Sequence, residues 1–306
     1  MLVWRGRSGE DETGNALLCF LMPALRNAWN WRQDMAGYGS YSDVIIVRNT
    51  IEVRGQVLDA LSACKIIGRL GVGLDNIDLD ACRKRNIQVI PAIGQNALSV
   101  AEYVIAVTML LLRRSYFSTG LVVAGKWPRA SLAEGRETSG KTIGIIGYGS
   151  IGRCTAKLAA AVGMDVVVSR RAGQDEVGIC SMPIREFVSK CDVISLHLPL
   201  NAETRAMVDT DFISQMKPGA ILINVSRGGV VVEPDLADAL KSGHLGGAAV
   251  DVFDQEPLAP GSIWEGVPNL ILTPHIAGVT KESEERVCKF VAEKVSSMLN
   301  ALQASE

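Results

Sequence analysis

The sequence predicts an α/β protein in which a doubly wound parallel sheet is set inside a second, smaller α/β unit. Three observations carry that expectation. Short apolar, β-branched runs alternate with helix-patterned segments from Val44 onward. A glycine-rich turn, Gly147-Tyr148-Gly149-Ser150-Ile151-Gly152, separates an apolar run from a helical one, and it begins mid-chain, so a substantial unit precedes it. A helical stretch, Lys281 to Leu302, closes the sequence and is expected to pack back on the first unit.

The first unit is read from Val44-Ile45-Ile46-Val47, a buried-type strand, through a helix at Val57 to Ala63 and a strand at Lys65 to Arg69. A loop follows at Leu70-Gly71-Val72-Gly73-Leu74-Asp75, then a short helix and a strand at Ile87 to Ile90. Pro91 to Asn96 reads as a linker and Ser99 to Arg114 as a long apolar helix. Six strands are expected in the second unit: Thr142–Ile146, Asp165–Ser169, Val193–Leu196, Ala220–Asn224, Gly247–Val252 and Leu270–Thr273. The division expected is residues 1–97 with 279–306 for one domain and 98–278 for the other. Met1 to Ser40 shows no clear strand, and it is expected to be an atypical opening to the first domain.

Composition narrows the function. With 306 residues the chain is long enough for two domains. Hydrophobic residues at 48%, charged residues at 21% and a net charge of −2 describe a globular chain suited to neither nucleic acid nor an anionic membrane surface. Seven cysteines show no C-x-x-C pair and no metal-ligand spacing, so free thiols in a reducing cytoplasm and no metal site are expected. Ala101 to Leu112 is apolar, but Arg113-Arg114 closes it well short of the ~20 residues a membrane span needs. Leu17 to Leu21 is too short for a signal segment, and Glu10, Asp11 and Glu12 stand before it where positive charge belongs.

The glycine turn predicts a nucleotide site. Gly147 permits the tight turn, Gly149 lets the backbone approach a pyrophosphate, and Gly152 lets the helix lie close to the strand. Ser150 and Ile151 open that helix, whose N-terminal N–H groups favour an anion. A NAD site places a carboxylate at the end of the second strand to accept from the ribose 2′-hydroxyl. Here the run is Val168-Ser169-Arg170-Arg171. Two arginines and a hydroxyl suit a 2′-phosphate, so NADP is the expected cofactor and NAD the alternative.

Three histidines are available for acid–base work. His244 sits in a polar turn. His197 lies at a strand end, in Ser195-Leu196-His197-Leu198-Pro199-Leu200. His275, in Thr273-Pro274-His275-Ile276-Ala277-Gly278, follows the last strand, where open α/β sheets bind ligands.

Several blocks together resemble the D-isomer-specific 2-hydroxyacid dehydrogenase family: Asn224-Val225-Ser226-Arg227-Gly228-Gly229, then Ala249-Val250-Asp251-Val252-Phe253-Asp254-Gln255-Glu256-Pro257-Leu258, then Thr273 to Gly278. Gly71 to Asp78 and Ser195 to Leu200 resemble two more, so the match runs from about Val44 to Gly278. The resemblance implies a Rossmann domain inserted in a flavodoxin-like substrate domain, and hydride transfer between a nicotinamide cofactor and a small 2-oxo or 2-hydroxy acid. It implies that Arg227 holds the substrate, and that His275 is the acid in reduction and the base in oxidation. Glu256 then orients His275 and favours its protonated form. Asp251 meets the nicotinamide carboxamide. Thr204, Val225, Pro199 and the backbone around His197 line the cofactor, and the N–H groups of Val72 and Gly73 bind the substrate carboxylate.

Gly68 to Asp78 and Asn96 to Tyr103 are similar to the sulfolactate and phosphoglycerate dehydrogenase branches. Family members acting on a substrate with a second anion carry arginines where this chain has Arg48 and Arg69. A hydroxypyruvate or glyoxylate reductase is the next reading. A non-enzymatic, nucleotide-sensing protein like the corepressors that resemble this family is a third. The apolar helix and the resemblance suggest a homodimer.

Overall fold

A four-stranded and a seven-stranded sheet organise the computed structural model, which describes residues 2–4, 42–48, 51–114, 118–169, 180–181 and 183–304. The chain forms two units, Met1–Asn96 with Thr280–Glu306, and Ala97–Val279.

In the first unit β1 (Leu2–Trp4), β2 (Val44–Val47), β3 (Ile66–Arg69) and β4 (Gln88–Pro91) lie in that order, with β2, β3 and β4 parallel. The Val-Ile-Ile-Val run of β2 is buried throughout, as a strand covered on both faces must be. Alternation sorts its side chains. Val44, Ile46 and Ile66 meet Val287, Val291, Val295 and Leu299, a stripe four residues apart on the C-terminal helix Lys281–Gln303. Ile45, Val47 and Ile67 turn the other way, onto Leu58, Leu61 and Ile77. A capping box starts the C-terminal helix: Ser283 N donates to Thr280 Oγ1 at 3.1 Å, and Thr280 N donates to Ser283 Oγ at 3.0 Å.

Two expectations are corrected in this unit. Leu2–Trp4 is a strand, antiparallel to β2 with Leu2 opposite Ile46 and Trp4 opposite Val44. Three residues are too few to show a period, and what makes them a strand is the open edge of β2. The rest of the Met1 to Ser40 reading lies outside the described residues. The helix expected at Val57 to Ala63 is a single turn, Gln56–Asp59. Beyond it Leu61 N and Cys64 N bond three residues back, to Leu58 O and Leu61 O, and still bring Leu61 and Cys64 into the core.

In the second unit β5 (Thr142–Ile146), β6 (Asp165–Ser169), β7 (Cys180–Ser181), β8 (Val193–Leu196), β9 (Ile221–Asn224), β10 (Gly247–Val250) and β11 (Leu270–Leu272) are all parallel. Their order is β11-β10-β9-β8-β5-β6-β7. The chain leaves β5 toward one edge, through β6 and β7, and then returns to β8 on its other side, which makes a topological switch point between β5 and β8. Ile143, Ile145, Ile221 and Ile223 pack on one face with Val104 and Leu111 of the helix Ala97–Arg113 and Ala156 and Ala159 of the helix Ser150–Ala161. Ile146, Ile194, Leu222 and Val250 pack on the other with Phe187 and with Leu236 and Leu240 of the helix Glu233–Lys241. β7 exceeds the six strands expected, because a two-residue strand carries no periodic signal.

Among the described residues no helix is long and apolar enough to cross a membrane.

Candidate active site

The candidate reacting groups stand on loops that leave three neighbouring strand ends, β9, β10 and β11. Parallel strands side by side deliver their following loops to one edge of a sheet, so topology alone gathers Arg227, Glu256 and His275.

After β9 the side chain of Asn224 closes a turn. Its Oδ1 accepts from Ser226 N at 3.1 Å and Ser226 Oγ at 2.7 Å, and its Nδ2 donates to Arg227 O at 3.0 Å. Arg227 follows, half-buried, with Nη1 donating to Ser226 O at 2.6 Å. Gly228 then passes so near the loop after β10 that a Cβ would lie 1.9 Å from the carbonyl carbon of Phe253. Any side chain there would push the two loops apart.

In the loop after β10, Glu256 uses both oxygens. Oε1 accepts from Phe253 N at 3.0 Å, and Oε2 lies 2.8 Å from His275 Nδ1. A carboxylate only accepts, so Nδ1 carries a proton and Nε2 is left as the nitrogen that exchanges one.

His275 itself has φ +57, a left-handed conformation that few non-glycine residues adopt. Asp251, buried at the end of β10, over-determines that turn. Its carbonyl accepts from His275 N at 2.8 Å. Its Oδ1 accepts from Thr273 Oγ1 at 2.6 Å and Ile276 N at 2.8 Å, and its Oδ2 accepts from Ala277 N at 2.9 Å. Burial pushes the Asp251 carboxyl above the usual range, against the pull of these donors and of the nearby His275.

Around the glycine turn, Gly147 has φ +97, and a Cβ on it would lie 2.3 Å from His197 O. A Cβ on Gly152 would lie 2.2 Å from Gly147 O. Nothing lies within 4 Å of a Cβ built on Gly149, whose backbone caps the helix Ser150–Ala161 with no side-chain bond. Ser150 and Ile151 thus begin a twelve-residue helix, whose first N–H groups have no carbonyl within the helix to bond. The residues present fit a dinucleotide's pyrophosphate. Tight packing behind Gly147 and Gly152 fixes the turn, and the space in front of Gly149 admits an anion close to the backbone.

Ser169 and His197, two of the other expected cofactor residues, border this turn. Ser169 is buried at the end of β6, and its carbonyl accepts from Gly147 N at 3.2 Å. Arg170 and Arg171 lie outside the described residues. His197 follows β8, its N donating to Ile146 O at 2.8 Å. Its Nε2 lies 3.0 Å from Ser195 Oγ, its Nδ1 is buried without a partner among the described residues, and burial pushes it down to about 3, so the ring is neutral. Thr204 is tied inside its own loop, donating to Pro199 O at 2.6 Å and accepting from Asn201 N at 2.9 Å. Val225 is half-buried just after β9.

In the first unit, Arg48 Nη2 lies 2.9 Å from Glu284 Oε1 of the C-terminal helix, with both side chains partly exposed. An anion arriving at Arg48 has to share or displace that carboxylate. Arg69 is buried at the end of β3, with Nη1 donating to Leu70 O at 2.6 Å and packed where a Cβ on Gly71 would stand. Val72 and Gly73 are half-buried in the loop that follows.

Comparison with known proteins decides the family. Residues 105–277 match the model of the D-isomer specific 2-hydroxyacid dehydrogenase, NAD binding domain. The chain is 44% identical over 273 residues to the (S)-sulfolactate dehydrogenase of Chromohalobacter salexigens, covering 88% of each. The chain belongs to the D-isomer-specific 2-hydroxyacid dehydrogenase family. It is also 37% identical over 260 residues to the D-3-phosphoglycerate dehydrogenase of Mycobacterium leprae, covering 83% of this chain and 48% of that one, so it spans about half the length of that relative. A D-lactate dehydrogenase of Aquifex aeolicus, solved with NAD and lactic acid, superposes with a TM-score of 0.79 at 30% identity, over 92% of each chain.

This member of the family is thus a nicotinamide-linked oxidoreductase acting on the CH–OH group of a 2-hydroxy acid. Two side chains in its site escaped the sequence reading. Tyr103, on the helix Ala97–Arg113, has its hydroxyl 2.6 Å from Thr273 Oγ1, which in turn bonds Asp251. In the sequence Thr273 belongs to a motif block and Tyr103 to an apolar helix, and separations of 170 and 22 residues give no local signal of the contacts.

Proposed function

We propose that the chain interconverts a small 2-oxo acid and its 2-hydroxy acid, one that carries a second anionic group of the sulfolactate or phosphoglycerate kind, and that it prefers NADP to NAD. The observation that carries the reading is the His275–Glu256 pair, held beside the Arg227 loop at three adjacent strand ends. The identity with a sulfolactate dehydrogenase over most of both chains supports the substrate class.

The dinucleotide, when bound, supplies or accepts the hydride at the substrate's C2. Gly147, Gly149, Ser150, Ile151 and Gly152 would hold its pyrophosphate, with Ser169, Arg170 and Arg171 at the 2′-phosphate and His197, Pro199, Thr204, Val225 and Asp251 along the rest. Arg227 binds the substrate's carbonyl and carboxylate, a planar donor against planar acceptors. In reduction Nε2 of His275 delivers a proton to the oxygen that becomes the hydroxyl, and in oxidation the same atom takes it back. Glu256, bonded to Nδ1, fixes the ring and sets which nitrogen does this. The N–H groups of Val72 and Gly73 bind the carboxylate, and Arg69 with Arg48 the second anion.

The Arg48–Glu284 bond favours a second reading, a hydroxypyruvate or glyoxylate reductase, since a substrate without the second anion leaves that pair intact. We also propose a cytoplasmic homodimer. Leu121, Val122, Val123 and Trp127 expose apolar surface on a segment whose helices, Ser118–Val123 and Arg129–Leu132, bury no residue.

Following NADPH absorbance with glyoxylate, hydroxypyruvate, sulfopyruvate and phosphohydroxypyruvate tests the proposal. Highest kcat/KM with sulfopyruvate or phosphohydroxypyruvate is expected. Preference for glyoxylate or hydroxypyruvate selects the second reading, and NADPH binding with no turnover of any of the four points to the nucleotide-sensing alternative.

A further inference from the structure

The geometry points to Tyr103 as a positioning residue for proton transfer, acting on His275 through Thr273 and Asp251. This inference rests on the assignment of His275 as the acid–base group.

Asp251 Oδ1, as a carboxylate oxygen, only accepts, so Thr273 Oγ1 gives its proton to it across 2.6 Å. The Thr273 hydroxyl has then spent its single donor, and the 2.6 Å contact with Tyr103 requires the phenol to donate. The result is a one-way chain from Tyr103 O–H to Thr273 Oγ1–H to Asp251 Oδ1. Burial pushes the Tyr103 phenol above its usual value, so it remains a donor across the neutral range.

The chain ends on the group that shapes the catalytic turn. Oδ1 of Asp251 also takes Ile276 N, Oδ2 takes Ala277 N, and the Asp251 carbonyl takes His275 N. The residues on both sides of His275 therefore hang on one carboxylate, and His275 sits between them at φ +57. A left-handed non-glycine residue persists where its surroundings over-determine it. Tyr103 supplies the outermost of those restraints from a separate element, the helix Ala97–Arg113, anchored in the core by Val104, Val107 and Leu111. Donor bonds in such a chain reinforce one another, so loss of the phenol weakens the Thr273–Asp251 bond as well.

Removing the hydroxyl leaves the ring and its packing in place. The effect falls on the orientation of the His275 ring against the reacting oxygen, where a displacement of an ångström costs about a hundredfold. The test compares Tyr103→Phe, Thr273→Val, Thr273→Ser, the Phe/Val double variant and His275→Ala in NADPH-dependent reduction of the four 2-oxo acids named above. Expected are kcat losses of about tenfold or more for Tyr103→Phe and Thr273→Val. KM and NADPH affinity stay within about twofold, Thr273→Ser restores activity, and the double variant is no worse than Thr273→Val, because the two groups act in series. Wild-type kcat in Tyr103→Phe beside an inactive His275→Ala overturns this inference alone. A kcat loss in Tyr103→Phe matched by an equal rise in KM and in NADPH dissociation constant also overturns it, since that is what general loosening produces. An active His275→Ala overturns the catalytic assignment beneath it.

Discussion

Asp192 and Asp251 are both nearly buried aspartates at strand ends of the same parallel sheet, and they sit in opposite circumstances. Asp192 precedes β8, at the edge where the strands begin. Its carboxylate takes Lys217 Nζ at 2.7 Å and Thr142 N at 3.0 Å, with Arg136 at 3.9 Å. Burial alone would push that carboxyl up, but the Lys217 and Thr142 bonds and the charges of Lys217 and Arg136 hold it below its usual value. Asp251 follows β10, at the edge where the strands end. It has neutral donors in hydrogen-bond contact, and burial leaves it raised. The first carboxylate is satisfied by charge and holds the start of the sheet together. The second is held by loop amides and a threonine, and what it organises is the turn carrying His275. In an open α/β sheet the beginning edge is where stability is built, and the ending edge is where strained, chemically useful conformations are held.

Substitutions at the two edges should therefore separate activity from stability. At the ending edge a loss of activity is expected: Glu256→Gln should lower kcat about tenfold to a hundredfold, because an amide has one acceptor oxygen for two donors, Phe253 N and His275 Nδ1, and no longer carries the charge that pairs with an imidazolium. Its melting temperature should stay near wild type, the pair being partly exposed. An unchanged kcat would remove Glu256 from the proton-transfer machinery.

At the beginning edge the reverse is expected. Asp192→Ala leaves Thr142 N and Lys217 without their partner and should destabilise the fold by about 1–3 kcal/mol, with kcat of the folded fraction unchanged. The pH dependence sharpens this. A carboxyl lowered in the folded state contributes stability that is complete above its unfolded pKa, about 3.9, and is lost as pH falls through the folded value. The difference in melting temperature between wild type and Asp192→Asn should therefore narrow below about pH 4. A difference that is constant from pH 7 to pH 3 would show that the charge of Asp192 does not matter.

Much of this contrast is legible in the sequence, for identifiable reasons. β5 and β8 run where the segments Thr142–Ile146 and Val193–Leu196 place them, since strands buried almost throughout have few exposed positions to blur their limits, and β6 coincides with Asp165–Ser169 although its first residue is exposed. β1 and β7, at three and two residues, exist through pairing to a neighbour and carry no pattern of their own. Gly147, Gly149 and Gly152 announce their turn because a Cβ is excluded or an approach is required at each. Arg227, Glu256 and His275 stand out through the blocks around them. The roles of Tyr103 and Thr273 depend on contacts across the fold, as does the placing of Arg48 on Glu284, and no local spacing encodes them.

A further expectation concerns the cofactor. Replacing Arg170 and Arg171 by Ala should lower the kcat/KM ratio of NADPH to NADH by about tenfold to a hundredfold while kcat with NADH is kept, each charge-assisted bond to a 2′-phosphate contributing about 1.5 kcal/mol or more. A ratio that does not move, or a wild-type enzyme that prefers NADH, removes the assignment of these arginines.

The central claim is that the edge where the strands end houses an acid–base histidine serving hydride transfer. It is tested most directly by the kcat of His275→Ala with NADPH and the best of the four 2-oxo acids, read beside its NADPH affinity. A loss of about 10²- to 10⁴-fold in kcat with NADPH binding intact is the result predicted. A kcat within a few-fold of wild type would contradict it.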